Sequence, residues 1–151
     1  MRDSSDILLW SETEQKIKRI ARPERTHHKK TEMAEHNELG KIGEEKAIEY
    51  LISKGFTILD KNWRFQKAEI DIIAQKENLL IAAEVKTRSS LGFGNPQDFV
   101  NPKKIRLLVQ AFDQYIVSKD LDVNARFDII AVLVRGTEFK IEHLEDAFLY
   151  F

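Results

Sequence analysis

The chain has 151 residues, of which 42% are apolar, and a formal net charge of −1 at pH 7. This length and composition suit one domain with one hydrophobic core and exclude a largely disordered chain. The sequence contains no cysteine, which excludes disulfides and thiolate metal sites. There is no signal-peptide profile, and no apolar run approaches the roughly 20 residues that span a bilayer. We therefore expect a cytoplasmic protein without a membrane partner.

The chain divides into two parts by its apolar patterning. Residues 1–32 have only weak periodicity, and we expect them to form a mobile N-terminal extension. Residues 33–151 carry much stronger patterns and are predicted to be the folded domain. That domain begins with helical spacing of apolar residues over 38–54, which Gly55 ends in the manner of a helix stop.

Apolar runs separated by turn residues predict the remaining elements. In chain order they are strands 56–59, 63–65, 68–74 and 79–87, a loop 89–102, a helix 103–118, and strands 126–134 and 139–143. We expect a break at 60–62 between the first two strands and a hairpin turn at Gly136. Strand 79–87 is apolar on both faces up to Glu84, which predicts a position in the middle of the sheet. The order indicates an α/β fold with a mixed β-sheet flanked by helices.

Three carboxylates and one ammonium lie on the two central strands. Glu69 and Asp71 are two residues apart and are expected to share a strand face, as are Glu84 and Lys86. If the strands form a hairpin, Asp71 and Glu84 can meet across it. Oxygen ligands without Cys or His favour a hard cation, Mg²⁺ or Mn²⁺. Such an ion can generate a hydroxide for phosphodiester hydrolysis, with Lys86 beside the attacking water.

A fourth acid, Glu44, lies on the apolar side of the first predicted helix and could join this group. The alternative is that Glu44 stabilises the helix dipole from an early turn. For the strand acids the alternative is ordinary ion pairing at a surface. Acids at the ends of buried strands usually have a function or a partner, which favours a site.

Positive charge is concentrated around these acids in spite of the overall charge. Residues 61–106 contain nine Lys and Arg and five Asp and Glu, and three of the five are the strand acids. With a metal bound, this stretch would be positive, as a phosphate-binding surface must be. The candidate phosphate contacts are Arg88, Lys103, Lys104 and Arg106, and Gln97 is a candidate substrate contact. The alternative is a solvated surface at the start of a helix.

Six motifs in a fixed order carry a family resemblance. They are G-K-I-G-E-E-K-A from Gly40, N-W-R from Asn62, A-E-I-D-I-I-A from Ala68, E-V-K-T-R from Glu84, F-G-N-P from Phe93 and R-F-D from Arg126. Over about residues 33–148 the chain resembles the YraN-like proteins. That family is regarded as similar to the PD-(D/E)xK nuclease superfamily and to archaeal Holliday-junction resolvases. This chain has Ala68 where the family usually has Gly.

The resemblance implies a restriction-endonuclease-like fold in residues 33–151. It maps Asp71, Glu84 and Lys86 onto the superfamily's catalytic residues and Glu44 onto its helix-borne acid. The implied metal ligands are Glu44, Asp71 and Glu84. Glu69 and Gln97 are additional candidate site residues on the grounds given above. The expected function is that of a metal-dependent endonuclease, a hydrolase acting on nucleic acid and by preference DNA. The alternative is a nucleic-acid-binding module of nuclease fold with weak turnover, and a homodimer is left open.

Overall fold

The computed structural model of the protein describes residues 29–89 and 101–148. Its elements are, in order, α1 (Lys29–Ser53), β1 (Thr57–Phe65), β2 (Ala68–Lys76), β3 (Leu79–Arg88), α2 (Pro102–Ser118), β4 (Asn124–Arg135) and β5 (Glu138–Leu144). The five strands form one sheet in sequence order. β3 and β4 are parallel, with α2 between them in the chain, and the other neighbouring pairs are antiparallel. The predicted α/β class, a mixed sheet flanked by helices as in the restriction-endonuclease-like fold, is confirmed.

The two helices cover opposite faces of the sheet and create two hydrophobic cores. Alternation along β3 sends Ile81 and Ala83 to the α1 side, and Leu80 and Ala82 to the α2 side. β3 is therefore buried on both faces between β2 and β4, as its continuous apolar run predicts. The helices contribute residues at helical spacing, which are Ile42, Ala47 and Leu51 from α1, and Ile105, Leu108, Ala111, Phe112 and Tyr115 from α2.

The alternation of β2 breaks at Asp71. Ile70 and Ile72 are two residues apart and would share a face in a regular strand, but Ile70 packs in the α2-side core and Ile72 in the α1-side core. Ile73 packs with Ile70, so the alternation of the side chains shifts by one residue at Asp71. The β2–β3 ladder ends at the same place, because its last pair is Ile72 with Ala83. Asp71 and Glu84 are the next residue on each strand. The two acids therefore lie where the hairpin stops pairing and its strands can separate.

The predicted break at residues 60–62 is wrong, because β1 is continuous through it. A register shift between Ile58 and Asp60 accommodates the irregularity, and Asn62 has a φ of 50°. Together, the bulge and the left-handed backbone of Asn62 let the strand contain polar residues that resemble a turn in the sequence. The other described strands and α2 agree with the predictions within two residues.

The first helix is longer than its apolar spacing predicts. α1 begins at Lys29, so it crosses the predicted boundary between residues 32 and 33. Residues 1–28 of the predicted extension and residues 90–100 of the predicted loop, with Gln97, lie outside the described residues. Of the helices that are described, none is long and apolar enough to span a membrane.

Candidate functional site

Asp71 is held by the backbone of the neighbouring strand. The Val85 N–H donates a hydrogen bond of 2.8 Å to Asp71 Oδ2, just beyond the last paired residues of the β2–β3 ladder. Burial raises the pKa of Asp71 to about 7, and the negative charge of nearby Glu84 adds to the rise against the opposing effect of the Val85 hydrogen bond. Asp71 and Glu84 are therefore close enough for the charge of Glu84 to raise the pKa of Asp71, which agrees with the predicted hairpin.

Glu84 is buried and is contacted by two ammonium groups. Its Oε1 lies 2.7 Å from Nζ of Lys104 and 3.4 Å from Nζ of Lys86. Lys86 follows two residues later on β3, whereas Lys104 comes from the first turn of α2. The Asn101 side chain caps that turn by accepting a hydrogen bond of 2.9 Å from the Lys104 N–H. Each lysine reaches the acid from a rigid element of the fold.

Glu44 approaches the same acids from α1. Burial raises the pKa of Glu44; a hydrogen bond from Asn62 opposes the rise, and the charges of Glu69 and Glu84 add to it. The helix is brought close by Gly43, where an added Cβ would lie 1.8 Å from Oγ1 of Thr87 on β3. Any larger residue at this position would separate α1 from the strand that carries Glu84.

Glu69 lies at the rim of the site. Its Oε2 accepts a hydrogen bond of 2.8 Å from Nε of Arg64; the Arg64 side chain is largely in solvent, whereas that of Glu69 is only partly exposed. A cavity of about 290 Å³ opens between this rim and α2. Its walls are formed by Lys67, Ala68, Glu69, Asp71, Glu84, Lys104, Leu107 and Leu108. The predicted acids Glu69, Asp71 and Glu84 thus share one cavity.

The donors suit a hard divalent cation, although their present arrangement is not a metal cage. Within residues 29–89 and 101–148, no group of three or more His, Asp or Glu is arranged to hold an ion. Lys86 and Lys104 contact Glu84 instead. The fit rests on the oxygen-only donor set and on Asp71, whose pKa is raised by burial and by the charges of Glu84 and Glu44.

The four predicted phosphate contacts are distributed unevenly around the site. Lys104 lies in it, through its ion pair with Glu84. Lys103 and Arg106 are exposed on the same end of α2, and Arg88 is exposed at the end of β3. No acidic residue occupies the first turn of α2, so this helix end is basic. Lys104 is thus tied directly to an acid of the site, and Lys103 and Arg106 lie beside it on the same helix end.

Sequence reasoning missed a second buried carboxylate. Asp128 on β4 is fully buried and accepts hydrogen bonds from Nε and Nη2 of Arg126 at 2.8 and 2.9 Å and from the Asp146 N–H at 3.1 Å. Nε2 of His143 lies 2.7 Å from Asp128 Oδ2, and Nδ1 lies 3.2 Å from the Tyr50 hydroxyl. Burial alone would raise the pKa of Asp128, but these hydrogen bonds hold it below its ordinary 3.8. The sequence feature that could have identified Asp128 is its position as the last residue of the R-F-D motif.

Asn62 was also missed as a site residue. It follows the β1 bulge and donates to Glu44, so the residue that resembled a turn in the sequence instead orients an acid of the site. The signal that could have identified it is its place in the N-W-R motif, next to the strand that carries Asp71.

Comparison with known proteins identifies the family. The model of the family described as "Uncharacterised protein family UPF0102" matches residues 43–132. A UPF0102 protein of Flavobacterium psychrophilum is 65% identical over 119 residues, which are 79% of this chain and all of the relative. A UPF0102 protein of Bacteroides thetaiotaomicron is 47% identical over 116 residues, or 77% of this chain and 96% of the relative. The matched segment, residues 43–132, includes Asp71, Glu84 and Lys86. On the family model and the identities to these relatives, the chain belongs to UPF0102, the YraN-like family.

Proposed function

We propose that this protein is a divalent-metal-dependent nuclease that hydrolyses phosphodiester bonds of nucleic acid, by preference DNA, in the cytoplasm. The observation that carries the proposal is the meeting of Asp71 and Glu84 at the open end of the β2–β3 ladder, with the Lys86 ammonium 3.4 Å from Glu84. An acid whose pKa is raised beside a second carboxylate, and a lysine that follows that carboxylate on its strand, supply the kinds of charge that metal-dependent phosphodiester hydrolysis uses.

The roles follow from charge and position. Asp71, Glu84 and Glu44 are the residues that would hold Mg²⁺ or Mn²⁺, which when bound supplies a more acidic water and positive charge for the transition state. Lys86 orients the attacking water or contacts the phosphate, because its ammonium is fixed beside Glu84 and still partly exposed. Asn62 and Val85 orient Glu44 and Asp71, respectively, by hydrogen bonds.

The surroundings of the acids are suited to a polyanion. Lys67 and Lys104 line the cavity, and exposed Lys103 and Arg106 continue the positive charge along α2. Basic side chains of this kind bind the phosphate backbone without regard to sequence. The local positive charge therefore supports nucleic acid as the partner, in spite of the chain's formal net charge of −1.

A second candidate function is a nucleic-acid-binding module with little turnover. It is favoured by the two lysines on Glu84, which neutralise the acid without a metal. In such a module the buried ion pairs would serve the fold, and the basic surface alone would bind the backbone.

The deciding experiment is a cleavage panel with matched variants. Branched and linear DNA and RNA are incubated with purified protein in Mg²⁺ and in Mn²⁺. We expect the parent to cut at least one substrate, and Glu84→Gln and Lys86→Ala to lose more than about a hundredfold in rate. Glu142→Gln, which removes a charge from an exposed position on β5, should cut like the parent.

Each result has a defined meaning. Circular dichroism establishes that the variants fold, and a fluorescence binding assay with the same nucleic acids runs in parallel. Binding without cleavage in either metal would overturn the nuclease and favour the binding module. Cleavage that survives in both site variants would place the activity elsewhere or in a contaminant.

A further inference from the structure

We propose that Lys104 is an exchangeable counter-ion of the site, which holds Glu84 when no metal is bound and must leave for a divalent cation to enter. The inference deepens the proposed function and rests on it, because it concerns how the same carboxylates receive their ion.

The ion pair of Lys104 occupies the position that a cation needs. Its Nζ lies 2.7 Å from Oε1 of Glu84, the shortest ion-pair distance that the acid makes with the two lysines. Glu84 is only 7% exposed, so it has little room to take a second cation at the same oxygen. A divalent ion bound there would be repelled by the ammonium at close range.

The Lys104 ammonium can move away from Glu84 more easily than that of Lys86. The Lys104 side chain is 42% exposed and that of Lys86 is 25% exposed. Lys104 lies on another element than Glu84, at the wall of the cavity, so a change of side-chain rotamer carries its ammonium into solvent. Lys86 projects from the same strand as the acid, two residues away, and has less freedom.

The backbone of α2 can stay in place during this exchange. The Asn101 cap fixes the Lys104 N–H, and Ile105 and Leu108 anchor the same helix end in the core. The helix is thus held by groups that the ion does not touch. Only the side chain of Lys104 needs to move, and once released it lies at the cavity mouth, where it can contact a phosphate.

This arrangement predicts opposite effects of one substitution on two ligands. Removing the Lys104 ammonium eliminates a competitor and a repulsive charge, so a cation should bind more tightly. It also removes a phosphate contact, so a polyanion should bind less tightly. A lysine that merely stabilised the fold would weaken both when lost, which separates the two interpretations.

The test measures the binding of Mn²⁺ alone by calorimetry to the full chain and three variants. We expect Lys104→Ala and Lys104→Gln to bind Mn²⁺ about fivefold to tenfold more tightly than the parent. Lys103→Ala, which loses the same charge at the neighbouring exposed position, should change the affinity by less than about twofold. As a second measurement, NMR of ¹³C-labelled lysine should show the Lys104 ε-carbon signal moving when Mg²⁺ is added to the parent.

The outcomes separate this inference from the proposed function. Tighter binding confined to the Lys104 variants supports it, as does Mn²⁺ binding by those variants when the parent binds none. If the parent binds Mn²⁺ and the Lys104 variants bind it equally or more weakly, the inference is overturned while the nuclease proposal stands. An equal gain in Lys103→Ala would overturn it in favour of a general charge effect. If no protein of the set binds Mn²⁺, both proposals fall.

Discussion

Asp71 and Asp128 are acids of the same sheet that are stabilised in opposite ways. Asp128 is fully buried and is surrounded by donors from Arg126, His143 and the Asp146 backbone, which hold its pKa below 3.8. Asp71 accepts a hydrogen bond from Val85 but lies beside Glu84, and its pKa is raised to about 7. The protein neutralises the first acid with its own groups and leaves the second in need of a proton or a cation.

The two centres are neighbours in the sheet. In the parallel β3–β4 pair, Ala83 lies opposite Asp128 and Glu84 lies opposite Ile129. Residues that are one step apart on a strand point to opposite faces of the sheet. Asp128 therefore lies on the α1 side, where His143 connects it to Tyr50, while Glu84 lies on the α2 side and forms an ion pair with Lys104. The difference teaches that burial alone does not mark a functional acid. What distinguishes Asp71 from Asp128 is the second carboxylate beside it, and on this ground Asp71 is the candidate for the proposed site.

The largest expected effect comes from removing the neutralised acid. Asp128→Ala should lower the free energy of unfolding by about 3 kcal/mol, because it leaves the Arg126 charge and the Asp146 N–H without their acceptor. Asp71→Asn should leave it unchanged or raise it in metal-free buffer at pH 8. Urea denaturation of both variants and the parent gives the comparison. Equal losses in the two variants would show that the acids do not differ as described.

The next effect concerns the contact that brings Glu44 to the site. Gly43→Ala should cost about 1–3 kcal/mol of unfolding free energy, because its Cβ would overlap Thr87, and Thr87→Ala in the same chain should restore part of the loss. Gly40→Ala is the matched control, since a Cβ there meets open space. It should stabilise α1 by about 0.5–1 kcal/mol. Denaturation of the four proteins suffices, and a neutral Gly43→Ala would mean that α1 is not held by this close contact.

The third effect, the smallest for a step of one pH unit, is a dependence of stability on pH that has opposite sign at the two acids. The folded-state pKa of Asp71 is raised, so its contribution is fully present below about 4 and is lost as the pH rises to about 7. The pKa of Asp128 is lowered, so its contribution is present above 3.8 and is lost as the pH falls below that value. For one proton the slope is at most about 1.4 kcal/mol per pH unit.

The measurement is urea denaturation in EDTA from pH 4.5 to pH 8. The unfolding free energy of the parent minus that of Asp71→Asn should decrease across this range. Taking the difference removes the contribution of the other titrating groups, which the two proteins share. A difference that stays flat would show that the pKa of Asp71 in the folded protein is ordinary.

Much of the site was predictable because its central part is local in the sequence. Asp71, Glu84 and Lys86 lie on two strands joined by a short turn, so alternation and a hairpin were enough to bring them together. α2 was equally well predicted, since Ile105, Leu108 and Phe112 follow the helical period. Two features escaped the pattern: the bulge that keeps β1 continuous, and the parity change at Asp71 that opens the ladder.

Contacts between distant segments could not be predicted in the same way. Lys104 was selected as a phosphate contact, but its ion pair with Glu84 depends on how α2 packs on the sheet. The hydrogen bonds of Asp128 join α1, β4, β5 and the segment after it. Neither arrangement leaves a periodic trace, because its partners are far apart in the chain. The same holds for Gly43, whose close contact is with a strand that begins 36 residues later, at Leu79.

The parallel pairing of β3 with β4 also separates the two centres in the time course of folding. β1, β2 and β3 follow one another through tight turns, and hairpins of this kind close within microseconds. β4 can pair with β3 only after the connection through α2 has formed, and contacts between residues so far apart in the sequence form more slowly. His143 and Asp146 leave the ribosome later still. A nascent chain can therefore bring Asp71 and Glu84 together well before the groups that hold Asp128 have been synthesised.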